Sequence, residues 1–199
     1  MPRAAAISKD GLTRIGMGRV FRIFKERFPV PLAAFGVCAA LFLHVPDLDL
    51  WAMPLLHHRS ILTHSILPAV LLLAFGGRFG AAAMAGALLG LGVHLACDGL
   101  SRMAGFGQVW LPAPFKMPLG GFSRVWLFGN ALVGFVWAFG MARRAFGNRF
   151  ARPLVIGAGT VAALVYGVAY ERTLLAGPVA FLVLVLAVEI EGRSGWRRS

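Results

Sequence analysis

The chain has 199 residues, of which 58% are hydrophobic and only 14% are charged, and its mean hydropathy is +0.75. A soluble domain uses roughly half apolar and about a quarter charged residues, so the composition excludes an ordinary soluble protein and indicates an integral membrane protein. The formal net charge is +12, but no soluble basic domain accompanies it, which argues against a nucleic-acid partner.

The N-terminal segment 1–29 contains seven Lys and Arg residues. Within it, residues 11–28 place Met17, Phe21 and Phe24 on one helical stripe, which predicts a basic amphipathic helix. Such a helix lies on the cytoplasmic leaflet and binds anionic lipid. We expect it to be an uncleaved anchor, because no small-residue cleavage site ends the apolar run that follows.

Six apolar stretches follow, each close to the roughly 20 residues that a bilayer requires. The sequence therefore predicts an all-α, polytopic membrane bundle of about six transmembrane helices, or five if the second and third form one broken element. The third stretch is rich in Gly and Ala, which let helices approach closely, so we expect it at the centre. The predicted spans are 30–46, 61–77, 79–98, 125–142, 153–170 and 173–190.

The basic residues indicate the orientation of these spans. With six spans, fifteen Lys and Arg residues lie on the side of the two termini and five lie on the other side. The positive-inside rule then predicts that both termini are cytoplasmic. The end of the first span, the start of the second and the end of the third consequently share the outer face.

Three polar clusters fall at that outer depth. Asp47 and Asp49 follow a proline at the end of the first span, and the second span is preceded by a histidine-rich stretch, "HHRSILTH". His94 and Asp98 are four residues apart at the end of the third span, so they share one helical face. Ionisable groups at membrane depth are costly, which makes them candidates for function.

Imidazole and carboxylate ligands without thiolates favour zinc, with manganese or iron as alternatives. Solvated loop carboxylates and interfacial histidines are the simpler interpretation of each cluster taken alone. Cys38 and Cys97 lie in apolar stretches and predict neither a disulfide nor a Cys-based zinc site. The predicted ligands of the divalent metal are Asp47, Asp49, His58, His64, His94 and Asp98.

Three residues are candidates for catalysis. Asp47 or Asp49 could act as a general base if its carboxylate is free of the metal. Arg59 could neutralise a phosphate or carboxylate of the substrate, or it could pair with an aspartate or a lipid headgroup. The apolar loop 101–124 contains Trp110 and Lys116 and is either an interfacial lid or part of an aromatic belt.

The motifs "PDLD" at 46–49, "HRSILTHS" at 58–65 and "HLACD" at 94–98 resemble those of the YdjM-like family. Its members are bacterial inner-membrane, LexA-regulated proteins identified as metal-dependent hydrolases, distantly similar to zinc phospholipase C and P1 nuclease. The resemblance covers residues 40–120 and implies the same six ligands, with Arg59 beside them. His44 and His57 are additional histidines, and either could replace a missing ligand.

The sequence and the resemblance together predict a multi-pass protein of the bacterial inner membrane that hydrolyses an ester, in particular a phosphoester, by metal-activated water. The predicted partner is a membrane lipid or lipid-linked substrate at the outer face. Residues 30–124 would form the metal-site core, and residues 125–199 the C-terminal helices and basic tail. The alternatives are a non-catalytic metal-binding, ion-transporting or structural membrane protein.

Overall fold

The computed structural model describes residues 29–75, 80–101 and 107–196, so the amphipathic helix predicted at 11–28 lies outside the described residues. Over those ranges the chain is helical and forms no β-strand, which confirms the all-α class. The helices are α1 (Pro29–Phe42), a short 3-10 helix (Pro46–Ala52), α2 (Leu67–Phe75), α3 (Gly80–Leu100), α4 (Phe122–Phe146), α5 (Asn148–Ala169) and α6 (Ala176–Trp196).

Helix α3 lies at the centre of the bundle, as its Gly and Ala content predicted. Residues 82–99 are all buried, and α3 contacts each of the other five α-helices. The packing of α1 against α3 depends on Gly86 and Gly90. A Cβ atom at either position would overlap the backbone carbonyl of Phe35 or Ala39, so only glycine allows this approach.

Three described helices, α3, α4 and α5, are long and apolar enough to cross a membrane. Helix α1 and the 3-10 helix, which are bent by 45° at their junction, would together make a fourth. The prediction of six spans is not supported. Helix α2 has nine residues, roughly 14 Å, which is less than half of a hydrocarbon core about 30 Å thick. Helix α6 is long enough, but its C-terminal part carries Glu189, Glu191 and Arg193.

The second predicted span, 61–77, is helical only from Leu67 onwards. The preceding residues are held outside a helix by side chains of α4. The indole N–H of Trp126 donates to the His64 carbonyl at 2.9 Å, and the Ile66 N–H donates to Asn130 Oδ1 at 2.9 Å. These bonds satisfy the His64 carbonyl and the Ile66 N–H from outside the segment and fix His64 against α4.

Candidate metal centre

The six predicted ligands come together at one end of the bundle. The 3-10 helix contributes Asp47 and Asp49, the irregular segment before α2 contributes His58 and His64, and α3 contributes His94 and Asp98. The three clusters therefore meet in space, as the sequence predicted, although only four of the six side chains face a common point.

The common point lies between two imidazole rings. His64 Nε2 and His94 Nε2 are 3.3 Å apart, and Asp98 Oδ2 lies 3.3 Å from the first and 3.7 Å from the second. Asp47 Oδ1 lies 3.9 Å from His94 Nε2. The ligand atoms of Asp47, His64 and His94 all fall within 4.8 Å of one another, so this group could hold a metal ion.

A backbone carbonyl sets the orientation of the His94 ring. His94 Nδ1 donates to the Leu43 carbonyl at 2.8 Å, and the Tyr166 hydroxyl lies 2.9 Å from the same nitrogen. The Leu43 carbonyl is available because Pro46 has no N–H and the Asp47 N–H bonds to the His44 carbonyl instead. With its proton on Nδ1, a neutral His94 presents the lone pair of Nε2 to the centre.

A carboxylate orients the His64 ring so that its Nε2, like that of His94, faces the centre. His64 Nδ1 lies 3.3 Å from Asp49 Oδ2 and 3.1 Å from the Thr63 hydroxyl, which leaves Nε2 facing the centre. Burial opposes a charge on this ring, but the hydrogen bonds to Asp49 and Asp98 outweigh it and raise the pKa of His64 above its ordinary value. In the absence of a metal, His64 therefore holds a proton readily.

The donor set fits a divalent cation. Two neutral rings with protonated Nδ1 atoms would point two lone pairs at each other across 3.3 Å, which repels unless a proton or a cation lies between them. Asp98 Oδ1 is buried and has no hydrogen-bond partner within the described part of the chain. The ring nitrogens of His64 and His94 and the carboxylate of Asp47, with both rings hydrogen-bonded behind the centre, form a group that could hold a metal ion.

Asp49 and His58 stand behind the centre rather than in it. Asp49 Oδ2 accepts from the Ser60 N–H at 3.0 Å and from the Thr63 hydroxyl at 2.8 Å, in addition to facing His64. Asp49 Oδ1 lies 3.0 Å from His58 Nδ1. Both oxygens of Asp49 are thus engaged, and the geometry gives Asp49 and His58 a supporting position where the sequence predicted direct ligands.

Arg59 pairs with an aspartate, one of the two roles that the sequence left open. Its Nε donates to Asp98 Oδ2 at 2.9 Å, and both side chains are buried. The Arg59 backbone has φ of +63°, a left-handed conformation that costs a non-glycine residue about 1–2 kcal/mol. The Trp110 N–H stabilises this conformation by donating to the Arg59 carbonyl at 2.9 Å.

Two residues of the site, both in the second half of the chain, were not predicted from the sequence. Tyr166 contacts His94, and Glu171, just beyond α5, is buried with its Oε1 3.8 Å from Arg59 Nη2. Burial is the main reason that the pKa of Glu171 is raised. One signal was present in the sequence, because the predicted topology places the end of the fifth span on the same face as the three clusters.

The two additional histidines lie outside the group of ligand atoms. The His57 ring stacks on Trp110 with 4.0 Å between centroids, and its Nδ1 bonds to the His58 carbonyl. The His44 ring packs against Tyr166 and Tyr170. Neither ring replaces a ligand in this arrangement.

Comparison of the chain with protein-family models, with curated proteins and with solved structures gives no match.

Proposed function

We propose that the protein is a metal-dependent hydrolase of the membrane, acting on an ester, in particular a phosphoester, of a lipid or lipid-linked substrate. One observation carries this proposal. Two imidazole nitrogens face each other at 3.3 Å, with their rings oriented from behind and two carboxylates beside them. This arrangement requires a cation or a proton at its centre. The resemblance to the YdjM-like family supports the same chemistry.

Charge balance supports a cation. The described part of the site contains the carboxylates of Asp47, Asp49, Asp98 and Glu171 and the single guanidinium of Arg59, so a divalent ion would bring the cluster closer to neutrality. When bound, zinc, or else manganese or iron, would supply a Lewis acid that polarises the scissile group and acidifies water. The residues that would hold it are Asp47, His64, His94 and Asp98.

Asp47 is the member of the centre that water and substrate can reach. Its side chain is 32% exposed, whereas those of His64, His94 and Asp98 are at most 1% exposed. Of the two aspartates predicted as general base, Asp49 has both oxygens engaged by donors. We therefore assign to Asp47 the position of the ligand that faces water and substrate, with Asp49 orienting His64.

The surface around Asp47 supports a lipid substrate. The 3-10 helix that carries the two aspartates also presents Leu48, Leu50 and Trp51 outward, and Trp51 is 90% exposed. Phe115 and Leu174, on two other loops, are also largely exposed. Apolar side chains on the loops of a membrane protein suit the lipid interface, where a headgroup would lie beside Asp47.

Hydrolysis can be tested with the protein purified in detergent. The probes are bis(p-nitrophenyl) phosphate and phospholipid in mixed micelles, assayed after chelation and after return of zinc, manganese or iron. We expect metal-dependent release of product that Asp47→Asn reduces by about 100-fold or more and that His57→Gln retains. Stoichiometric metal without hydrolysis of either probe would contradict the enzymatic assignment.

A non-catalytic role has one observation in its favour. The charges of the cluster already pair with one another, Asp98 with Arg59 and Asp49 with His58 and His64. A cluster of this kind could serve only to hold the helices in register. Elemental analysis distinguishes the two, since a purely structural cluster predicts a purified protein without stoichiometric metal.

The proposed location is the bacterial inner membrane, with cytoplasmic termini and the centre near the outer face. Cysteine labelling from one side of the membrane tests this in a variant that lacks Cys38 and Cys97. Phe115→Cys, at the site end, should react from outside, and Arg152→Cys, at the other end of α5, should react only from the cytoplasm. The reverse pattern would overturn the orientation.

A further inference from the structure

Arg59 lies between two carboxylates from distant parts of the chain. Its Nε donates to Asp98 Oδ2 at 2.9 Å, and its Nη2 lies 3.8 Å from Glu171 Oε1. The exposed fractions of the three side chains are 6%, 1% and 3%, so water screens neither contact. Glu171 is the only acidic residue that the C-terminal helices bring to this end of the described chain.

Asp98 Oδ2 connects this ion-pair chain to the metal centre. The atom that accepts from Arg59 is the same oxygen that faces His64 Nε2 at 3.3 Å and His94 Nε2 at 3.7 Å. The direction in which Arg59 holds Asp98 therefore decides where this oxygen lies relative to the two rings.

Backbone conformation on both sides indicates that the contact is imposed by the fold. Arg59 itself has φ of +63°, and Arg172, which follows Glu171, has φ of +51°. Left-handed non-glycine residues persist where the surrounding structure determines them, and they concentrate at functional sites. The Glu171 carboxyl is anchored by side-chain hydrogen bonds to Ser101 and Asp98, while its Oε2 is buried with no hydrogen-bond partner among the described residues.

We propose that Glu171 is a positioning residue of the candidate metal centre: it holds the far end of the Arg59 guanidinium, so that Asp98 Oδ2 stays aimed at His64 and His94. This inference rests on the proposed metal centre and adds a residue that neither the motifs nor the resemblance contains. It makes the loop between α5 and α6 part of the site, so the C-terminal helices do more than anchor the protein.

The test is the equilibrium affinity for zinc and the visible spectrum of the cobalt-loaded protein, measured on the full chain. Glu171→Gln keeps the size of the side chain and removes its charge. We expect it to lower metal affinity about 10- to 100-fold at unchanged stoichiometry and to alter the cobalt spectrum. Glu189→Gln, in an exposed ion pair at the other end of α5, is the matched control and should change neither.

Two further variants separate positioning from a general loss of structure. Glu171→Asp keeps the charge and should recover part of the affinity. Arg59→Lys cannot span both carboxylates, so the double variant Arg59→Lys with Glu171→Gln should lose no more affinity than Arg59→Lys alone. If Glu171→Gln fails to fold, the zinc affinities of Glu171→Asp and Arg59→Lys are compared with that of the wild type instead. Both should then be lower than the wild-type affinity.

The outcomes are distinguishable. If the wild type binds metal and Glu171→Gln matches Glu189→Gln in affinity and spectrum, the positioning role is overturned and the metal centre stands. Fully additive losses in the double variant would also overturn it. If the wild type binds no stoichiometric metal, the proposed centre fails and the role of Glu171 fails with it.

Discussion

Arginine–carboxylate pairs occur at both ends of α5, and the two ends differ in burial. At the site end, Arg59 and Asp98 are 2.9 Å apart, with side chains 6% and 1% exposed. At the opposite end, Arg152 and Glu189 are 2.6 Å apart, with side chains 55% and 48% exposed. The shorter contact is the weaker one energetically, because water and salt screen it. Burial rather than distance decides which pair the fold depends on.

Removing Asp98 should give the largest effect. Asp98→Ala removes the buried carboxylate that accepts from Arg59 Nε at 2.9 Å, and breaking a buried pair from one side costs about 3–5 kcal/mol. We expect a loss of that size in the free energy of unfolding, measured by denaturant titration in detergent, and no bound metal. A loss below about 1 kcal/mol would mean that the buried Arg59–Asp98 pair contributes no more to stability than the exposed Arg152–Glu189 pair.

Removing a ring from the centre tests metal binding more directly. His64→Ala should remove stoichiometric metal, with an affinity loss greater than about 100-fold, because loss of an outer partner alone costs about 10- to 100-fold. His57→Gln is the matched control, since the His57 ring stacks on Trp110 away from the centre. Elemental analysis of the purified variants decides the matter, and equal metal content in both would contradict the centre.

The local part of this site could be predicted from the sequence. The pairing of His94 with Asp98 follows from helical spacing, and the structure places them together at 3.7 Å. Helix α1 ends at Phe42 and the 3-10 helix begins at Pro46, a break that the missing N–H of proline accounts for, although its consequence, a free Leu43 carbonyl for His94, was not foreseen. Spacing within one element thus reveals which side chains share a face.

The long-range part could not be predicted in this way. Tyr166 and His94 are 72 residues apart, and their contact depends on how α5 is rotated against α3. The residues before α2 were predicted to be helical because they are apolar, but bonds from Trp126 and Asn130 of α4 compete with the helix. In this segment apolar content did not distinguish a helix from a turn, because the distant hydrogen-bond partners Trp126 and Asn130 determine the backbone there.

Metal binding should depend on pH. Coordination requires a neutral imidazole, and the pKa of His64 is raised, so protons compete with the metal above the ordinary titration range of histidine near pH 6.5. We expect zinc affinity to rise with pH, by up to about tenfold per unit per proton released, until His64 is neutral. Calorimetric titration at several pH values measures this, and an affinity independent of pH from 6 to 8 would contradict it.

The hydrogen bonds behind the centre should contribute a smaller amount. Thr63→Val removes the hydroxyl that donates to Asp49 Oδ2 at 2.8 Å, and a hydrogen bond to a charged group contributes about 1.5–3 kcal/mol. Thr160→Val is the matched control, because the Thr160 hydroxyl is buried without a hydrogen-bond partner among the described residues. We expect Thr63→Val to destabilise by about 1.5 kcal/mol and Thr160→Val to be neutral or stabilising. The opposite order would remove the supporting role of Asp49.

The exposed pair at the other end of α5 should give the smallest effect. Glu189→Gln removes the charge that faces Arg152 at 2.6 Å, but the pair lies in contact with water, so we expect a change below about 1 kcal/mol in the free energy of unfolding. That change should diminish further in high salt, which screens exposed charges more than buried ones. The cost of Asp98→Ala should be nearly independent of salt. A salt response of equal size at both ends would mean that water reaches Arg59 and Asp98, and burial could then no longer explain the difference between the two pairs.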